Sequence, residues 1–181
     1  MRYFIGFLIA IGLIVLLFVI ILKSFGHSTP QKQIDLASYA SSNAIVQLTI
    51  DGPVTADQNH QQVQISVGQT ETTFQILQGY QGMVATNKTF ANNEASYSAF
   101  LQALAVAGFT DGNKVNIPDK EGYCAAGERY TFELIQTGSD IENYWTTSCG
   151  GGTYKGNASQ TLALFEAQVP NYSNLASNLQ F

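Results

Sequence analysis

His60 is the first residue to consider for catalysis, because histidine is the side chain that most often transfers protons near neutral pH. It is the only histidine after residue 27 of this 181-residue chain, and it lies in a polar loop before a predicted strand. No serine or cysteine stands in a nucleophile context such as G-x-S-x-G. We predict that His60 is a solvated loop residue, and we name no catalytic residue and no cofactor. An acid–base pair among the thirteen scattered acidic residues stays open.

Cys124 and Cys149 are the only cysteines in the sequence, and neither has a histidine neighbour. An even pair of this kind favours a disulfide over a metal or catalytic site. The bridge would close a loop of about 25 residues and stabilise the fold by roughly 3 kcal/mol in the chain-entropy model. It would also indicate an oxidising compartment outside the cytoplasm.

A glycine-rich loop from Gly150 to Gly156 precedes a predicted helix, where backbone N–H groups could bind an anion. Gly151, Gly152 and Lys155 are the candidate anion-binding residues. The loop lacks the Gly-Lys-Ser/Thr ending of a Walker loop. A flexible turn after a disulfide explains the glycines equally well. The acidic segment 111–121 lacks the spacing of a calcium-binding loop, so we expect no metal site.

Four tyrosines beside predicted turns are the candidate residues for binding a ligand or partner: Tyr80, Tyr123, Tyr154 and Tyr172. Tyrosine offers rigid, amphipathic contact area at little entropic cost, and loops display such contacts. The alternative is that each ring covers the nearest edge of the core and keeps its hydroxyl in water. Because catalytic groups are so few, the tyrosines favour a binding or adhesion module. The alternative function is an enzyme of unidentified chemistry.

Alternating apolar residues predict the strands that position these loops. Residues 46–50 form the first strand, and a hairpin follows over residues 62–77 with its turn at Gly68-Gln69. A fourth strand covers residues 83–90, where Lys88 is typical of a protected sheet edge. Asn93 caps a predicted helix over residues 94–107.

The second half of the sequence predicts another strand, turn, strand and helix. Tyr130, Phe132 and Leu134 alternate in one strand, and the returning strand follows a turn at 137–140. If Gln136 pairs with Ile141, Cys149 lies opposite Glu128, within reach of Cys124 through a small-residue loop. Asn157 caps the last helix. The whole pattern predicts an α+β domain, an antiparallel sheet of about six strands with two helices on one face.

Residues 3–22, from Tyr3 to Leu22, contain no charge, and sixteen of the twenty are Ile, Leu, Phe or Val. At ~1.5 Å per helical residue they span ~30 Å, the thickness of the hydrocarbon core of a bilayer. We predict a single transmembrane anchor at 1–23, a stalk at 24–43 and one domain at 44–181. A signal peptide cleaved near Ser24 to Gly26 is the alternative.

The composition of the body decides its orientation and its partners. Asp, Glu, Lys and Arg make up 12% of the chain, against a usual ~25%. This scarcity of charge and the predicted disulfide favour a cytoplasmic amino terminus and an extracytoplasmic domain. Residues 33–181 hold five of the eight basic residues and all thirteen acidic ones, a net charge of about −8. No basic stripe exists for nucleic acid, so we expect a protein or glycan partner at the cell surface.

An apolar amino-terminal helix that carries an α+β domain with one late disulfide is similar to a type IV pilin. Gly6-Phe7 resembles the processing point of that family. The sequence departs from it at the apolar leader, at Ile11 where a pilin has glutamate, and at Pro30, which breaks the helix early. The likeness implies a pilin-like subunit as a further alternative.

A second resemblance covers most of the body. It rests on four phrases: Thr-Ile-Asp-Gly-Pro at 49–53, Gln-Gly-Tyr at 78–80, Ala-Gly-Phe-Thr at 107–110 and Thr-Ser-Cys-Gly at 147–150. These are similar to phrases in small single-pass anchored envelope proteins of reduced-genome, host-dependent bacteria. The resemblance implies a bacterial cell surface and brings no activity or functional residue with it.

Overall fold

A computed structural model of the protein describes residues 34–113, 122–177 and 179. The predicted anchor and residues 24–33 of the predicted stalk lie outside the described residues. Within the described residues, no helix is both long and apolar enough to cross a membrane. The chain divides into two units, Met1–Gln33 and Ile34–Phe181. The second unit is the α+β domain described below.

Six strands form one antiparallel sheet, which confirms the predicted α+β class and the predicted number of strands. The strands are β1 (Ile45–Asp51), β2 (Gln61–Val67), β3 (Glu71–Gln78), β4 (Met83–Ala91), β5 (Arg129–Gln136) and β6 (Ser139–Thr147). Their order across the sheet is β4-β3-β2-β1-β5-β6. Strand β1 is therefore central, between β2 and β5, although it comes first in the sequence. Strand β4, which carries Lys88, is an edge strand as predicted.

One face of the sheet carries the apolar core, and we call it the covered face. The alternating residues of the central strands point to it and are almost fully buried: Val46, Leu48, Ile50, Val63, Ile65, Val67, Phe74, Phe132 and Leu134. Among the described residues, three helices accompany the sheet: α1 (Glu94–Val106), α2 (Ala158–Glu166) and α3 (Tyr172–Leu175). Phe109, just after α1, packs edge-on against Phe132 of β5, and Phe100 of α1 packs against Phe165 of α2.

The caps predicted for the two longer helices are confirmed. The side chain of Asn93 accepts a hydrogen bond from the backbone N–H of Ser96, and Asn157 accepts one from Gln160. Gly108 follows α1 with a φ of 78°, the left-handed conformation that ends many helices. The backbone N–H of Phe109 then donates to the carbonyl of Leu104.

The opposite face of the sheet is polar, and we call it the polar face. Its alternating side chains are amides, hydroxyls and a few charged groups. Three hydrogen bonds link them across four strands. Ser66 Oγ donates to Gln47 Oε1 over 3.0 Å, Gln47 Nε2 to Glu133 Oε2 over 2.9 Å, and Asn143 Nδ2 to Glu133 Oε1 over 2.9 Å. The polar face is thus ordered by side-chain pairs between neighbouring strands.

The register predicted for the β5–β6 hairpin is wrong. The prediction placed Gln136 opposite Ile141, whereas Gln136 pairs with Ser139 through a turn of only two residues, Thr137-Gly138. Both turn residues have positive φ, 53° and 75°, as a tight hairpin turn of this type requires. The sequence prediction allowed four residues for the same turn.

A β-bulge between Leu134 and Ile135 shifts the register by one residue again. Beyond it Phe132 pairs with Tyr144, not with Trp145. Because side chains alternate along a strand, Tyr144 enters the core and Trp145 lies on the polar face. Tyr144 donates a buried hydrogen bond to Glu142. Its burial and this bond raise its pKa above the ordinary value for tyrosine.

The segment before β1 is part of the domain. Residues Leu36–Tyr39 form a short 3₁₀ turn in which Leu36 is buried, and Ile34 and Tyr39 pack on the core. The sequence prediction assigned residues 24–43 to the stalk. The hydroxyl of Tyr97 in α1 donates to the carbonyl of Ala44 over 2.8 Å and ties this segment to the helix. Burial raises the pKa of Tyr97 to about 12.

Candidate functional site

Three charged or titratable side chains meet where β1 ends, and the sheet register explains why. Asp51 is the last residue of β1 and pairs with Arg129, the first residue of β5. His60 immediately precedes β2, whose residue Gln62 pairs with Asp51 on its other side. The loop 52–60 therefore brings His60 back beside Asp51. We call these three side chains the ion-pair cluster.

Asp51 is the centre of the ion-pair cluster. Its Oδ1 lies 2.9 Å from His60 Nε2, and its Oδ2 lies 2.8 Å from Arg129 Nη2. Arg129 Nε also donates to Oδ2 over 3.0 Å, and Nη2 donates to the carbonyl of Gly52 over 2.8 Å. The side chains of His60 and Arg129 are 0% and 4% exposed, and that of Asp51 is 19% exposed. Because these groups are buried, removal of one partner would leave an uncompensated charge in the protein and would be costly.

The prediction that His60 is a solvated loop residue is wrong. Its side chain is fully buried, and Nδ1 lies 3.3 Å from the carbonyl oxygen of Pro53. Both ring nitrogens thus contact oxygen atoms of the protein, which holds the imidazole in place. Tyr80 covers one side of the ring, with centroids 4.0 Å apart and planes inclined by 14°. This arrangement favours a structural role, because it leaves neither nitrogen facing solvent.

Tyr80 fastens the loop 52–60 over the ion-pair cluster. Its hydroxyl donates to the carbonyl of Thr55 over 2.9 Å and accepts from the N–H of Thr55 over 3.2 Å. Its own N–H donates to Asp57 Oδ1 over 2.8 Å. Gly79 precedes it with a φ of 73°, so that the chain turns sharply at this point. The other side of the Tyr80 ring remains open, and the residue is 48% exposed.

Tyr123 lies at the same end of the sheet. Its ring contacts Trp145, with centroids 5.2 Å apart, and the residue is 45% exposed. The backbone N–H of Val54 donates to the carbonyl of Ala125 over 2.8 Å, so the loop 52–60 is joined to the segment that contains Tyr123. The predicted disulfide is confirmed here: Cys124 is bonded to Cys149, with Cα atoms 5.7 Å apart.

Three segments therefore share one end of the sheet, and we call them the tyrosine end: residues 52–60, 79–84 and 122–128. Most of the exposed large apolar side chains of the described residues are in these segments, namely Val54, Tyr80, Met83, Val84 and Tyr123. Ile45 and Val106 are the others, at the start of β1 and the end of α1. Met83 and Val84 belong to the edge strand β4, whereas Tyr123 contacts Trp145 of the opposite edge strand β6, with Val54 and Tyr80 between them. The exposed apolar groups therefore extend across the end of the sheet, and apolar groups exposed at one end of a domain are candidates for a contact surface.

The other two candidate tyrosines are elsewhere. Tyr154 is buried in the core beside Phe132, and its hydroxyl lies 2.7 Å from Thr161 Oγ1. Tyr172 packs edge-on against Phe74 on the covered face. Burial first, and the charges of Glu166 and Glu128 second, raise the pKa of Tyr172 to about 12. The structure thus brings Tyr80 and Tyr123 to one end and keeps Tyr154 and Tyr172 with the core.

The glycine-rich loop packs against the edge of β6. Gly152 pairs with Thr146, and a side chain on Gly152 would lie 2.2 Å from the carbonyl oxygen of Trp145. The hydroxyl of Thr146 donates to the carbonyl of Gly151 over 2.8 Å. Lys155 Nζ lies 3.4 Å from the carbonyl oxygen of Gly152. Close packing explains Gly152, whereas Gly150 and Gly151 have open space around them and positive φ of 84° and 82°. Anion binding by Gly151, Gly152 and Lys155 stays a prediction.

The sequence did not single out Asp51, Arg129 and Trp145. Asp51 and Arg129 are far apart in the chain and become neighbours only because β5 pairs with β1. Trp145 reaches the polar face only because of the hairpin register. The sequence offers one signal for this ion pair: an acidic residue at the end of one predicted strand and a basic residue at the start of another. Without the strand order, many such pairs were possible.

No family model matches the chain, and no curated protein matches it. Across residues 34–113, 122–177 and 179, no group of three or more His, Cys, Asp or Glu side chains is placed to hold a metal ion. The description of the site therefore rests on its geometry.

Proposed function

We propose that this protein is a membrane-anchored, extracytoplasmic binding or adhesion module of a bacterial cell envelope, and that the tyrosine end is its contact surface. The observation that carries the proposal is that five large apolar side chains are exposed at the same end of the sheet: Val54, Tyr80, Met83, Val84 and Tyr123. The uncharged run at residues 3–22 supports the anchor. The disulfide supports a compartment outside the cytoplasm.

The tyrosine end is rigid, and this rigidity favours binding. Binding loses affinity when loops must become ordered, so a surface that is already rigid retains more of its contact energy. Here Tyr80 is fixed by three hydrogen bonds and by its stack on buried His60. The disulfide and the Val54 N–H bond hold the neighbouring segment. The exposed rings therefore need little further ordering on contact with a partner.

A protein is the partner that this surface fits best. Val54, Met83 and Val84 are aliphatic and complement apolar protein side chains, whereas they offer a sugar no hydrogen bonds. The acidic body, with five basic and thirteen acidic residues, favours a partner whose contact region has a neutral or basic rim. The class of partner is thus a surface protein of the same envelope or of a neighbouring cell.

Pull-down from envelope fractions tests the contact surface, with the tagged full chain in mild detergent as bait. We expect Met83→Ser and Tyr123→Ala to reduce the recovery of a specific partner at least tenfold, the usual effect of losing a central contact. Val106→Ser is the matched control, since Val106 is exposed at the end of α1 and outside the tyrosine end. Recovery that is equal in all four proteins would place the partner elsewhere.

Protease added to intact cells tests the location. The body should be degraded, while carbonate extraction should leave the protein in the membrane fraction. Protection of the body with the membrane sealed would contradict the orientation. Release by carbonate would contradict the anchor. Neither result would depend on the identity of the partner.

A further inference from the structure

A polar cleft lies at the end of the sheet opposite the tyrosine end, and its volume is about 260 Å³. One wall is the segment 42–45 that leads into β1, and the other is the turn between β2 and β3. The side chains that matter for binding are Asn43, Gln69, Thr70, Glu71, Thr73 and the exposed Ile45. The volume is just below the ~300 to 1,000 Å³ of pockets for drug-sized ligands, so the cleft fits one small molecular unit.

The polar side chains of the cleft have unused hydrogen-bonding capacity. Asn43, Gln69, Thr70, Glu71 and Thr73 make no side-chain hydrogen bond to another described residue. Together they offer two amides, two hydroxyls and one carboxylate. Amides and hydroxyls can each donate and accept, so the same wall can pair with several ligand hydroxyls.

The backbone of both walls is held in place. Ser42 Oγ donates to the carbonyl of Tyr39 and accepts from the N–H of Ala44, which fixes the first wall. In the second wall the N–H of Gly68 donates to the carbonyl of Glu71 over 2.9 Å. Asn92 Nδ2 also donates to the carbonyl of Gly68 over 2.8 Å. The cleft is therefore formed before any ligand arrives.

We propose that this cleft binds one ring of an uncharged sugar. A sugar ring has vicinal hydroxyls, which match the amide and hydroxyl groups of Asn43, Gln69, Thr70 and Thr73. It also has an apolar C–H face, which matches the exposed side chain of Ile45. The cleft is not at the tyrosine end, so this proposal does not depend on the protein partner proposed above.

The charge of the site excludes the nearest competing ligands. An anion would meet the carboxylate of Glu71 and a body with an excess of acidic residues. Calcium takes six to eight oxygen ligands, usually from several carboxylates, whereas Glu71 is the only carboxylate that lines the cleft. A neutral ligand rich in hydroxyls avoids both problems. A single ring in a site of this size has an expected affinity on the order of 1 mM.

Saturation-transfer difference NMR on the full chain in detergent micelles tests the proposal, with D-glucose and N-acetyl-D-glucosamine as probes. We expect saturable transfer to the ring protons of at least one probe. Asn43→Ala and Thr73→Val should each weaken binding about three- to tenfold, the effect of one lost hydrogen bond. Asn87→Ala is the matched control, an exposed amide on β4 that does not line the cleft, and it should bind as the wild type does.

Gly68→Ala gives a second variant that is expected to fold. A methyl group there would lie 3.6 Å from the carbonyl oxygen of Glu71 and 3.8 Å from Ile45, which are ordinary contacts. It narrows the cleft and should weaken sugar binding, while an unchanged melting temperature shows that the fold is intact. Absence of transfer from both sugars, transfer that is equal in Asn43→Ala, Thr73→Val and wild type, or binding of calcium alone would overturn the proposal.

Discussion

The covered face of the sheet is held by apolar packing, whereas the polar face is held by specific pairs. On the covered face, Val, Leu, Ile and Phe side chains from all the central strands lose their contact with water. On the polar face, the ion-pair cluster and the Ser66–Gln47–Glu133–Asn143 chain of hydrogen bonds join strands that are distant in sequence. An apolar side chain can pack against many different apolar neighbours, whereas each hydrogen bond or ion pair requires one particular partner.

The difference has a functional meaning. A face whose side chains form specific hydrogen bonds and ion pairs can be rigid without being apolar. The protein can therefore expose side chains at the ends of the sheet while its core stays buried. The tyrosine end and the polar cleft lie at opposite ends of the polar face. Each is supported by hydrogen bonds to fixed backbone. Substitutions that distinguish the two faces therefore test the basis of both proposed sites.

Phe132→Ala should produce the largest effect, because Phe132 is fully buried at the centre of the covered face. Removing its ring leaves a cavity beside Phe109 and Tyr154. We expect the free energy of unfolding to fall by about 3–5 kcal/mol, measured by urea denaturation. Thr49→Ala on the polar face is the control and should change it by no more than about 0.5 kcal/mol. Equal losses would contradict the contrast between the faces.

Asp51→Asn should have the next largest effect, because it leaves His60 and Arg129 buried without their common partner. Loss of one member of a buried ionic group costs about 3 kcal/mol or more. The control is Asp140→Asn in the exposed turn end of the β5–β6 hairpin, with an expected change below about 0.5 kcal/mol. If Asp51→Asn proves as mild as its control, the ion-pair cluster does not stabilise the polar face.

Replacement of both cysteines, Cys124→Ser with Cys149→Ser, should lower the free energy of unfolding by about 3 kcal/mol. The bridge connects residues 25 apart in the sequence. It supports the segment that carries Tyr123, whose half-exposed ring contacts Trp145. Reduction of the wild-type protein should give a loss of similar size, and denaturation of the oxidised and reduced forms compares the two. No change on reduction would show that the segment is held by other contacts.

The sequence predicts most of the strands that bury the covered face, but it does not predict which side chains pair on the polar face. Alternating apolar residues predicted β1 and the β2–β3 hairpin with its turn at Gly68, because one face of each strand must avoid water. The same reasoning says nothing about which polar residues become neighbours. Asp51 and Arg129 meet only after β5 joins β1, and strand order is not a local property of the sequence.

The four candidate tyrosines also show that local sequence patterns do not predict tertiary packing. All four lie beside predicted turns, yet Tyr80 and Tyr123 are exposed whereas Tyr154 is buried. What distinguishes them is the packing of the following segment on β6, which brings Tyr154 to Phe132. The β5–β6 register was missed because a two-residue turn containing Thr137 in a left-handed conformation is unusual for a β-branched residue.

Thr137→Asn tests that explanation. Asparagine tolerates positive φ better than threonine does, so the substitution should raise the free energy of unfolding by about 1 kcal/mol. Thr89→Asn on the exposed side of β4 is the control, and it should slightly destabilise the protein because asparagine is a poor strand residue. A loss of stability in Thr137→Asn would show that the turn does not carry this strain in solution.

Glu166 at the end of α2 should give the smallest effect, visible as a dependence of stability on pH. Partial burial first, and the charge of Glu128 second, raise the pKa of Glu166 above its ordinary value of 4.5. A carboxyl group with a raised pKa binds its proton more tightly in the folded state than in the unfolded state. The folded state is therefore favoured while the group is protonated, and this contribution is lost as the pH rises through the raised pKa.

Glu166→Gln replaces the titrating carboxyl group with an uncharged amide. The difference in free energy of unfolding between variant and wild type should increase in favour of the variant as the pH rises above 4.5, and level off once the wild-type carboxyl group is ionised. Urea denaturation at a series of pH values measures it. The change should be modest because solvent screens a partly exposed group. A difference that does not vary with pH would mean that the pKa of Glu166 is not raised in the folded protein.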